Sequence, residues 1–215
     1  MRFASHLAAC LLLALQPLAA LAASVEEAVV ELQHEWEIIK YRTPEKEQEK
    51  KFEALAAKAH QVSRTFPDRA EPLVWEGIIV SSWAGAKGGI GALGLAKRAK
   101  AHYEAAIKIK PEVMQGSAYN SLGVLYYKVP GWPMGFGDDK KAQELLQKAL
   151  AVNPAGIDPN FFYGEFLVEQ GKPREALTYL ERALQAPPRP GRDIADAGRR
   201  EEARKLLEEA RKKAS

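Results

Sequence analysis

Hydrophobic side chains recur every three or four positions along residues 24–213, and prolines or glycines interrupt the pattern at intervals. This spacing places the hydrophobic positions on one face of an α-helix, whereas a half-buried strand would alternate every second residue. β-branched residues are scattered, which also argues against a β architecture. The pattern predicts helices at about 24–41, 44–65, 69–84, 93–110, 113–128, 139–152, 159–170, 173–186 and 194–213.

Three of these helix starts carry residues that favour capping. Thr43 and Pro44 precede the second helix, where threonine suits the N-cap and proline suits the first helical position. Asp68 and Glu71 have the spacing of a capping box before the third helix. Asp138 precedes the sixth helix, and we expect it to accept a hydrogen bond from the first turn.

Three segments share one internal pattern of residue types. Each begins with alanine, then has tyrosine or leucine four residues later, alanine seven later and proline twelve later. The members are Ala99, Tyr103, Ala106 and Pro111; Ala142, Leu146, Ala149 and Pro154; and Ala176, Leu180, Ala183 and Pro188. The first three positions share a helical face, where the small alanines allow a neighbouring helix to approach closely, and the proline marks the helix end.

The pattern resembles helix B of the tetratricopeptide repeat, a helical hairpin of about 34 residues. The family's helix A signature, in which aromatic residues flank a Leu-Gly pair, precedes two of the segments. It is carried by Tyr119, Leu122, Gly123 and Tyr126 in one repeat and by Tyr163, Gly164, Leu167 and Gly171 in the next. The resemblance implies an all-α, right-handed solenoid of helical hairpins whose A helices line a concave surface.

The predicted organisation is a leader followed by one repeat domain. Residues 1–22 are expected to form a signal peptide and residues 23–215 a single domain. Within it, we expect a divergent helical hairpin at 23–67, repeats at 69–111, 113–154 and 157–188, and a capping helix at 194–213. A polar-backed last helix is what a solenoid needs to cover its exposed apolar end.

The leader has the three parts of a secretory signal. Arg2 precedes the apolar run 7–15, and Ala-Leu-Ala at 20–22 is typical of a signal peptidase site. Cys10 stands ahead of most of the apolar run, whereas a lipid-anchored cysteine would follow it. We therefore expect cleavage after Ala22, a periplasmic location and no stable membrane span in the mature chain.

Composition and charge exclude several classes of function. The 31 Lys and Arg residues oppose 28 Asp and Glu, and a net charge of +3 is too small to indicate nucleic acid as a partner. One cysteine excludes a disulfide framework and a zinc site of paired thiolates. No two of His34, His60 and His102 have helical metal-site spacing, and no nucleotide-binding or hydrolase motif occurs. We therefore predict that the protein is not an enzyme and that it has no catalytic residue, no metal site and no cofactor.

Two inserts distinguish the chain from a standard repeat array. The helix A glycine and the first helix B alanine are twelve residues apart for Gly164 and Ala176, the family's standard, but nineteen for Gly123 and Ala142 and twenty-two for Gly77 and Ala99. The extra residues fall in loops at 85–94 and 129–139. Because these loops lie at the same end of successive hairpins, we expect them to be near each other.

Each insert has two open interpretations. The glycines around Lys87 suit either an anion site of backbone N–H groups or a tight apolar loop, and the tight loop is favoured. The second insert either packs down as structural filling or lines a pocket, because Trp132 and Phe136 need an apolar environment. If the inserts form a pocket, Lys87, Trp132 and Phe136 are its candidate residues.

The family register predicts a recognition surface on the A helices. Its candidate partner-binding residues are Asn120, Tyr127, Lys128, Phe161, Glu165 and Glu169. Their mixture of aromatic, amide, cationic and acidic groups resembles a recognition surface, but it does not match the two-lysine clamp that tetratricopeptide domains use for a C-terminal carboxylate. The alternative, that these residues merely pack on the inserts, stays open.

These observations predict an exported, periplasmic scaffold that binds a protein or peptide partner without catalysis. A homo-oligomer is compatible with this prediction. The alternative is a small-ligand receptor or an accessory protein of a solute transport system, with the 85–94 and 129–139 loops forming the pocket. An enzyme of unrecognised type ranks third.

Overall fold

The computed structural model describes residues 24–214 of the 215-residue chain. The predicted signal peptide at 1–22 lies outside the described residues. Within the described part the chain forms nine helices and no strand, which confirms the predicted all-α class. They are α1 (Val25–Arg42), α2 (Glu45–Thr65), α3 (Ala70–Lys87), α4 (Gly89–Ile109), α5 (Val113–Lys128), α6 (Asp139–Val152), α7 (Ile157–Glu169), α8 (Pro173–Gln185) and α9 (Asp193–Ala214).

Consecutive helices pair as hairpins, α1 with α2, α3 with α4, α5 with α6 and α7 with α8. The odd-numbered helices also contact each other in the order α1, α3, α5, α7 and α9, so they form the inner layer of a solenoid with the even-numbered helices outside. The last inner helix, α9, contacts α1. The inner layer of the solenoid therefore closes into a ring.

The repeated small residues form the close contacts within each hairpin. The helix B alanines of all three repeats are buried: Ala99, Ala106, Ala142, Ala149, Ala176 and Ala183. Facing them, a Cβ added to Gly77 would lie 2.5 Å from Tyr103, one on Gly123 2.8 Å from Leu146, and one on Gly164 2.8 Å from Leu180. A side chain at any of these glycines would force the two helices apart. The repeated small residues therefore allow the short distance between the helices of each hairpin.

The ring closes through contacts between α1 and α9. The buried carboxylate of Glu37 accepts a 3.2 Å hydrogen bond from the backbone N of Ala195, which satisfies a free N–H in the first turn of α9. Further along, the Tyr41 ring fills the space beside Gly198 that a side chain would occupy. The Tyr41 hydroxyl donates to Glu202 at 3.4 Å. The last helix thus joins the two ends of the repeat array as well as packing on α8.

The first insert is not the loop that the sequence predicted. Helix α3 continues to Lys87 and α4 begins at Gly89, so most of 85–94 extends these two helices. The chain reverses at Gly88 and Gly89, whose positive φ angles of 63° and 58° are readily adopted by glycine. Helix extension satisfies backbone groups that a long loop would leave to other partners.

The second insert is a compact loop between α5 and α6. The backbone N of Gly137 donates to Pro130 O at 3.0 Å, and that of Asp138 donates to Tyr126 O at 2.8 Å. Phe136 packs edge-on against Tyr126, with ring centroids 5.6 Å apart. The loop therefore folds back against the last turn of α5.

One of the three capping predictions is confirmed. Asp138 accepts a 3.0 Å hydrogen bond from a backbone N–H in the first turn of α6. The other two are wrong, since Thr43 ends α1 while Pro44 occupies the cap of α2, and neither α2 nor α3 has a side-chain cap. The N-cap of α3 is Arg69, because a turn carries the chain one residue beyond Asp68 before the helix begins.

Candidate functional site

The ring of inner helices surrounds a central cavity of about 1310 Å³. All five inner helices contribute to its lining, together with parts of α2 and α4. Ile90 and Met134, from the two inserts, line the cavity and are highly exposed, so the cavity opens between the inserts. Trp36, Trp75 and Phe161 line it as buried residues and form its inner wall.

Most of the wall is apolar. The aromatic lining residues include Trp36, Phe52, Trp75, Phe161 and Phe162, and the aliphatic ones include Ile78, Val124, Leu125 and Leu206. Trp36 packs edge to face on Trp75 at 5.8 Å between centroids, and its Nε1 donates to Ser82 Oγ at 2.8 Å. A largely apolar concave wall is typical of a binding cavity, and this wall also carries charged side chains.

Four of the six predicted groove residues form one charged cluster, the α5–α7 cluster (Tyr127, Lys128, Glu165 and Glu169). The Tyr127 hydroxyl donates to Glu165 at 2.6 Å, and Lys128 Nζ lies 3.2 Å from the other Glu165 oxygen and also pairs with Glu169. Burial and the nearby Glu165 charge raise the pKa of Tyr127 well above its ordinary value. Burial alone would lower the pKa of Lys128, but the two carboxylates raise it. Lys128 and Glu165 line the cavity, so this cluster borders it.

The remaining two groove candidates are buried. Asn120 is 4% exposed and does not line the cavity, because it lies three residues before Gly123 on the side of α5 that faces α6. The structure therefore corrects the prediction that Asn120 meets a partner. Phe161 is also buried, but it forms part of the cavity wall, where Arg199 Cζ lies 4.6 Å from its ring centroid.

The three predicted pocket residues of the inserts do not line the cavity. Lys87 pairs with Glu49 at 2.7 Å, and this carboxylate raises the lysine pKa. Phe136 packs on α5, and Trp132 is 89% exposed. The inserts line the cavity through other residues, because the first insert became helix and the second folded back on α5. These residues are Gly85, Ala86, Gly89, Ile90, Ala92, Leu93, Val129, Pro130 and Met134.

Sequence reasoning missed the charged residues beside α9, which form a second, closing cluster (Asp158, Arg189, Arg199 and Glu202). Arg199 donates to Asp158 at 2.9 Å and to Glu202 at 2.6 Å, while Arg189 donates to Asp158 at 2.6 Å. Burial would raise the pKa of Asp158, but the charges of Arg199 and Arg189 lower it to about 2. The signal in the sequence was an arginine between Ala195 and Ala203 on the apolar face of the last helix.

Two histidines that are distant in sequence lie beside the same buried carboxylate. Glu76 is buried, and its Oε1 lies 3.0 Å from His60 Nδ1 and 3.2 Å from His102 Nε2. Burial would raise the pKa of Glu76, but the hydrogen bond and charge of His102 lower it. Among residues 24–214, no group of three or more His, Cys, Asp or Glu side chains has the arrangement of a metal site. The two histidines are therefore explained as partners of one carboxylate.

Comparison with known proteins agrees with this architecture. Residues 134–193 match the tetratricopeptide repeat family. No curated relative matches the sequence. Over the described part of the chain, no helix has the length and apolar character needed to cross a membrane.

Two solved structures are similar in fold. A thermophilic tetratricopeptide repeat protein of Thermus thermophilus, TTC0263, is 17% identical with a TM-score of 0.57, over 89% of this chain and 92% of that one. Yeast Tom70 is 15% identical with a TM-score of 0.50, over 84% of this chain but only 33% of its own. At these identities the similarity establishes the fold alone.

Proposed function

Because the chain is a tetratricopeptide repeat protein, we propose that it is a non-catalytic scaffold that binds a protein or peptide partner in the periplasm. The fold supports protein binding, because repeat arrays of this kind provide extended concave surfaces. The leader predicted at 1–22 supports export. The partner docks where the cavity opens, at the end of the ring that carries both inserts.

The observation that carries this proposal is an apolar rim, consisting of Ile90, Trp132 and Met134. Among residues 24–214 these are the most exposed large hydrophobic side chains, at 98%, 89% and 72%. All three belong to the inserts, and two of them line the cavity. Exposed apolar groups concentrated at one end of a molecule mark an interaction surface.

Crosslinking in intact cells, followed by mass spectrometry, tests the rim. We expect a protein crosslinked to the wild type to be lost from a variant carrying Ile90→Ser, Trp132→Ser and Met134→Ser. The matched control is Val30→Ser, since Val30 is an exposed hydrophobic residue on α1, outside the inserts. Because the rim side chains are exposed, the triple variant should keep the wild-type melting temperature. Equal crosslinking of the triple variant and the control would overturn the proposal.

The exported location has its own test. We expect the mature protein to be recovered from the periplasm with Ala23 as its first residue, because the predicted cleavage follows Ala22. Amino-terminal sequencing of the periplasmic fraction measures this directly. A product that keeps residues 1–22, or that carries lipid on Cys10, would contradict the location.

A second candidate function is a small-ligand receptor or an accessory protein of a solute transport system. One observation favours it, namely that the contact of α9 with α1 closes the inner helices around the cavity. An open solenoid would present a groove, whereas this ring surrounds a partly open cavity of about 1310 Å³ with largely apolar walls. That volume exceeds the roughly 300–1,000 Å³ of ordinary ligand pockets, so a small molecule fits inside.

A further inference from the structure

The cavity wall contains one arginine whose charge is poorly compensated. Arg192, just before α9, lines the cavity with a side chain that is 12% exposed. Its Nε is buried and has no hydrogen-bond partner among residues 24–214. The Glu37 carboxylate is its ion-pair partner, but at 3.6 Å from Nε it is too distant for a hydrogen bond. Buried charges of this kind are costly unless they are hydrogen-bonded.

Neighbouring arginines in the same region donate hydrogen bonds to carboxylate or carbonyl oxygens. Arg189 donates to Asp158 and Asp196 at 2.6 and 2.7 Å, Arg199 donates to two carboxylates, and Arg200 donates to Ala186 O at 2.9 Å. Burial and the nearby positive charge of Arg189 lower the pKa of Arg192, whereas the carboxylates around Arg189 and Arg199 outweigh burial and raise the pKa of those two arginines. Arg192 therefore retains a capacity to bind an anion that its neighbours have used.

A second donor lies beside this arginine. The Arg192 Cζ atom lies 5.0 Å from the ring centroid of Trp75, which also lines the cavity. The indole Nε1 of Trp75 is buried and has no acceptor in the described part of the chain, whereas that of Trp36 is satisfied by Ser82. Two adjacent groups thus have donors without acceptors in the described part of the chain. Because neighbouring atoms cover both of these nitrogens, an acidic oxygen entering from the cavity would meet the guanidinium at its terminal nitrogens, which make no hydrogen bond within residues 24–214.

The carboxylates of the cavity wall do not meet this need. Glu165 is bound to Tyr127 and Lys128, and Glu202 is bound to Arg199. Of the other two wall carboxylates, Glu209 pairs with Lys213 at 2.6 Å and Glu45 is exposed to water. Beside Trp75 the wall presents the ring of Trp36, which packs on it at 5.8 Å between centroids, and Ile78, which lies one turn further along the same helix. The complementary ligand has one negative group and an apolar body.

We propose that the central cavity binds a small amphipathic organic anion, with its carboxylate on Arg192 beside Trp75 and its acyl or aromatic body against the apolar wall. This inference rests on the second candidate function, since it names the ligand class of that same cavity. A guanidinium binds a carboxylate through parallel hydrogen bonds, which gives orientation as well as affinity. The apolar body gains free energy by leaving water.

Three ligands with the same ten-carbon chain test the charge preference: decanoate, decanol and decyltrimethylammonium. Isothermal titration of the purified mature protein, below the micelle concentrations of the two charged ligands and below the solubility limit of decanol, gives the dissociation constants. We expect decanoate to bind roughly tenfold or more tightly than the other two, since a hydrogen-bonded charge pair in a desolvated site is worth at least that much. This comparison uses the unaltered protein and does not depend on the folding of any variant.

Arg192→Gln should weaken decanoate binding by roughly tenfold and leave decanol binding unchanged, because only the anion uses the guanidinium. Arg192→Lys keeps the charge, so its affinity for decanoate should lie between those of Arg192→Gln and the wild type. The matched control is Arg204→Gln, an exposed arginine of α9 outside the cavity lining, which should bind decanoate normally.

The outcomes distinguish the preference for an anion from the presence of a ligand cavity. Equal binding of decanoate and decanol, or unchanged decanoate binding by a folded Arg192→Gln protein, would overturn the anion preference while leaving a ligand cavity in place. Failure of all three compounds to bind would overturn the anion site and would also count against the second candidate function.

Discussion

Two charged clusters border the cavity, and they differ in how the chain assembles them. The α5–α7 cluster joins neighbouring repeats through Lys128, whose side chain is 40% exposed. The closing cluster joins α7 to α9 through Arg199, whose side chain is only 10% exposed and also lies over the rings of Phe161 and Phe162. Stacking of repeats thus leaves the lysine of its cluster near water, whereas closure of the ring buries the central arginine, while the carboxylates of both clusters are partly exposed. We infer that the two clusters contribute unequally to stability.

The largest expected effect comes from Arg199→Met. The substitution keeps much of the side-chain volume but removes the guanidinium from Glu202 and leaves Asp158 with Arg189 alone, so we expect a loss of about 3 kcal/mol in the free energy of unfolding. Urea denaturation followed by circular dichroism measures it. A loss below about 1 kcal/mol would show that the closing cluster behaves like surface ion pairs, and the distinction between the two clusters would fail.

The packing within a repeat is tested by Ala149→Leu. Ala149 is buried where α6 meets the start of α5, with its Cα 3.5 Å from a Cβ built on Gly116. Overpacking there should cost about 2 kcal/mol. Because each repeat is stabilised by its neighbours, amide hydrogen exchange should also increase in α7. An unchanged denaturation midpoint would contradict the assigned repeat register.

The pH dependence of the unfolding free energy tests the closing cluster without a substitution in the α5–α7 cluster. The pKa of Asp158 is lowered from 3.8 to about 2, so its contribution to stability is present above the unfolded pKa and is lost as the pH falls through the folded one. We expect part of the unfolding free energy to disappear between about pH 4 and pH 2. In Arg199→Met this loss should be smaller, because the main lowering charge is gone. Identical pH dependence of the wild type and the variant would contradict the assignment.

Local features of the fold could be predicted because they depend on short spacings. The alanines and glycines of the repeat, such as Ala142 and Gly123, encode the contact between two helices that are adjacent in sequence. The helix bounds followed from the same periodicity. One exception is 85–94, where glycine content suggested a loop but packing of residues such as Ala92 extended the helices. Another is 114–116, where positive φ angles interrupt the start of α5.

Ring closure could not be predicted from these spacings. It depends on a small rotation between each hairpin and the next, which accumulates until α9 reaches α1, and no local motif specifies that sum. Glu37 and Ala195 are 158 residues apart, and each resembles an ordinary helix residue in its own segment. For the same reason Arg192 did not stand out, since its importance depends on the lack of an acceptor for its Nε among the described residues.

The smallest expected effect is that of Lys128→Met, the counterpart of Arg199→Met in the α5–α7 cluster. Lys128 pairs with Glu165 and Glu169, but water reaches all three side chains and Glu165 keeps the hydrogen bond from Tyr127. We therefore expect the free energy of unfolding to fall by only about 0.5 kcal/mol in the same urea experiment. The acid-dependent loss attributed to Asp158 should persist in this variant, because Arg199 and Arg189 are unchanged. A cost comparable to that of Arg199→Met would mean that the contact between repeats is as sensitive to charge as the closure of the ring.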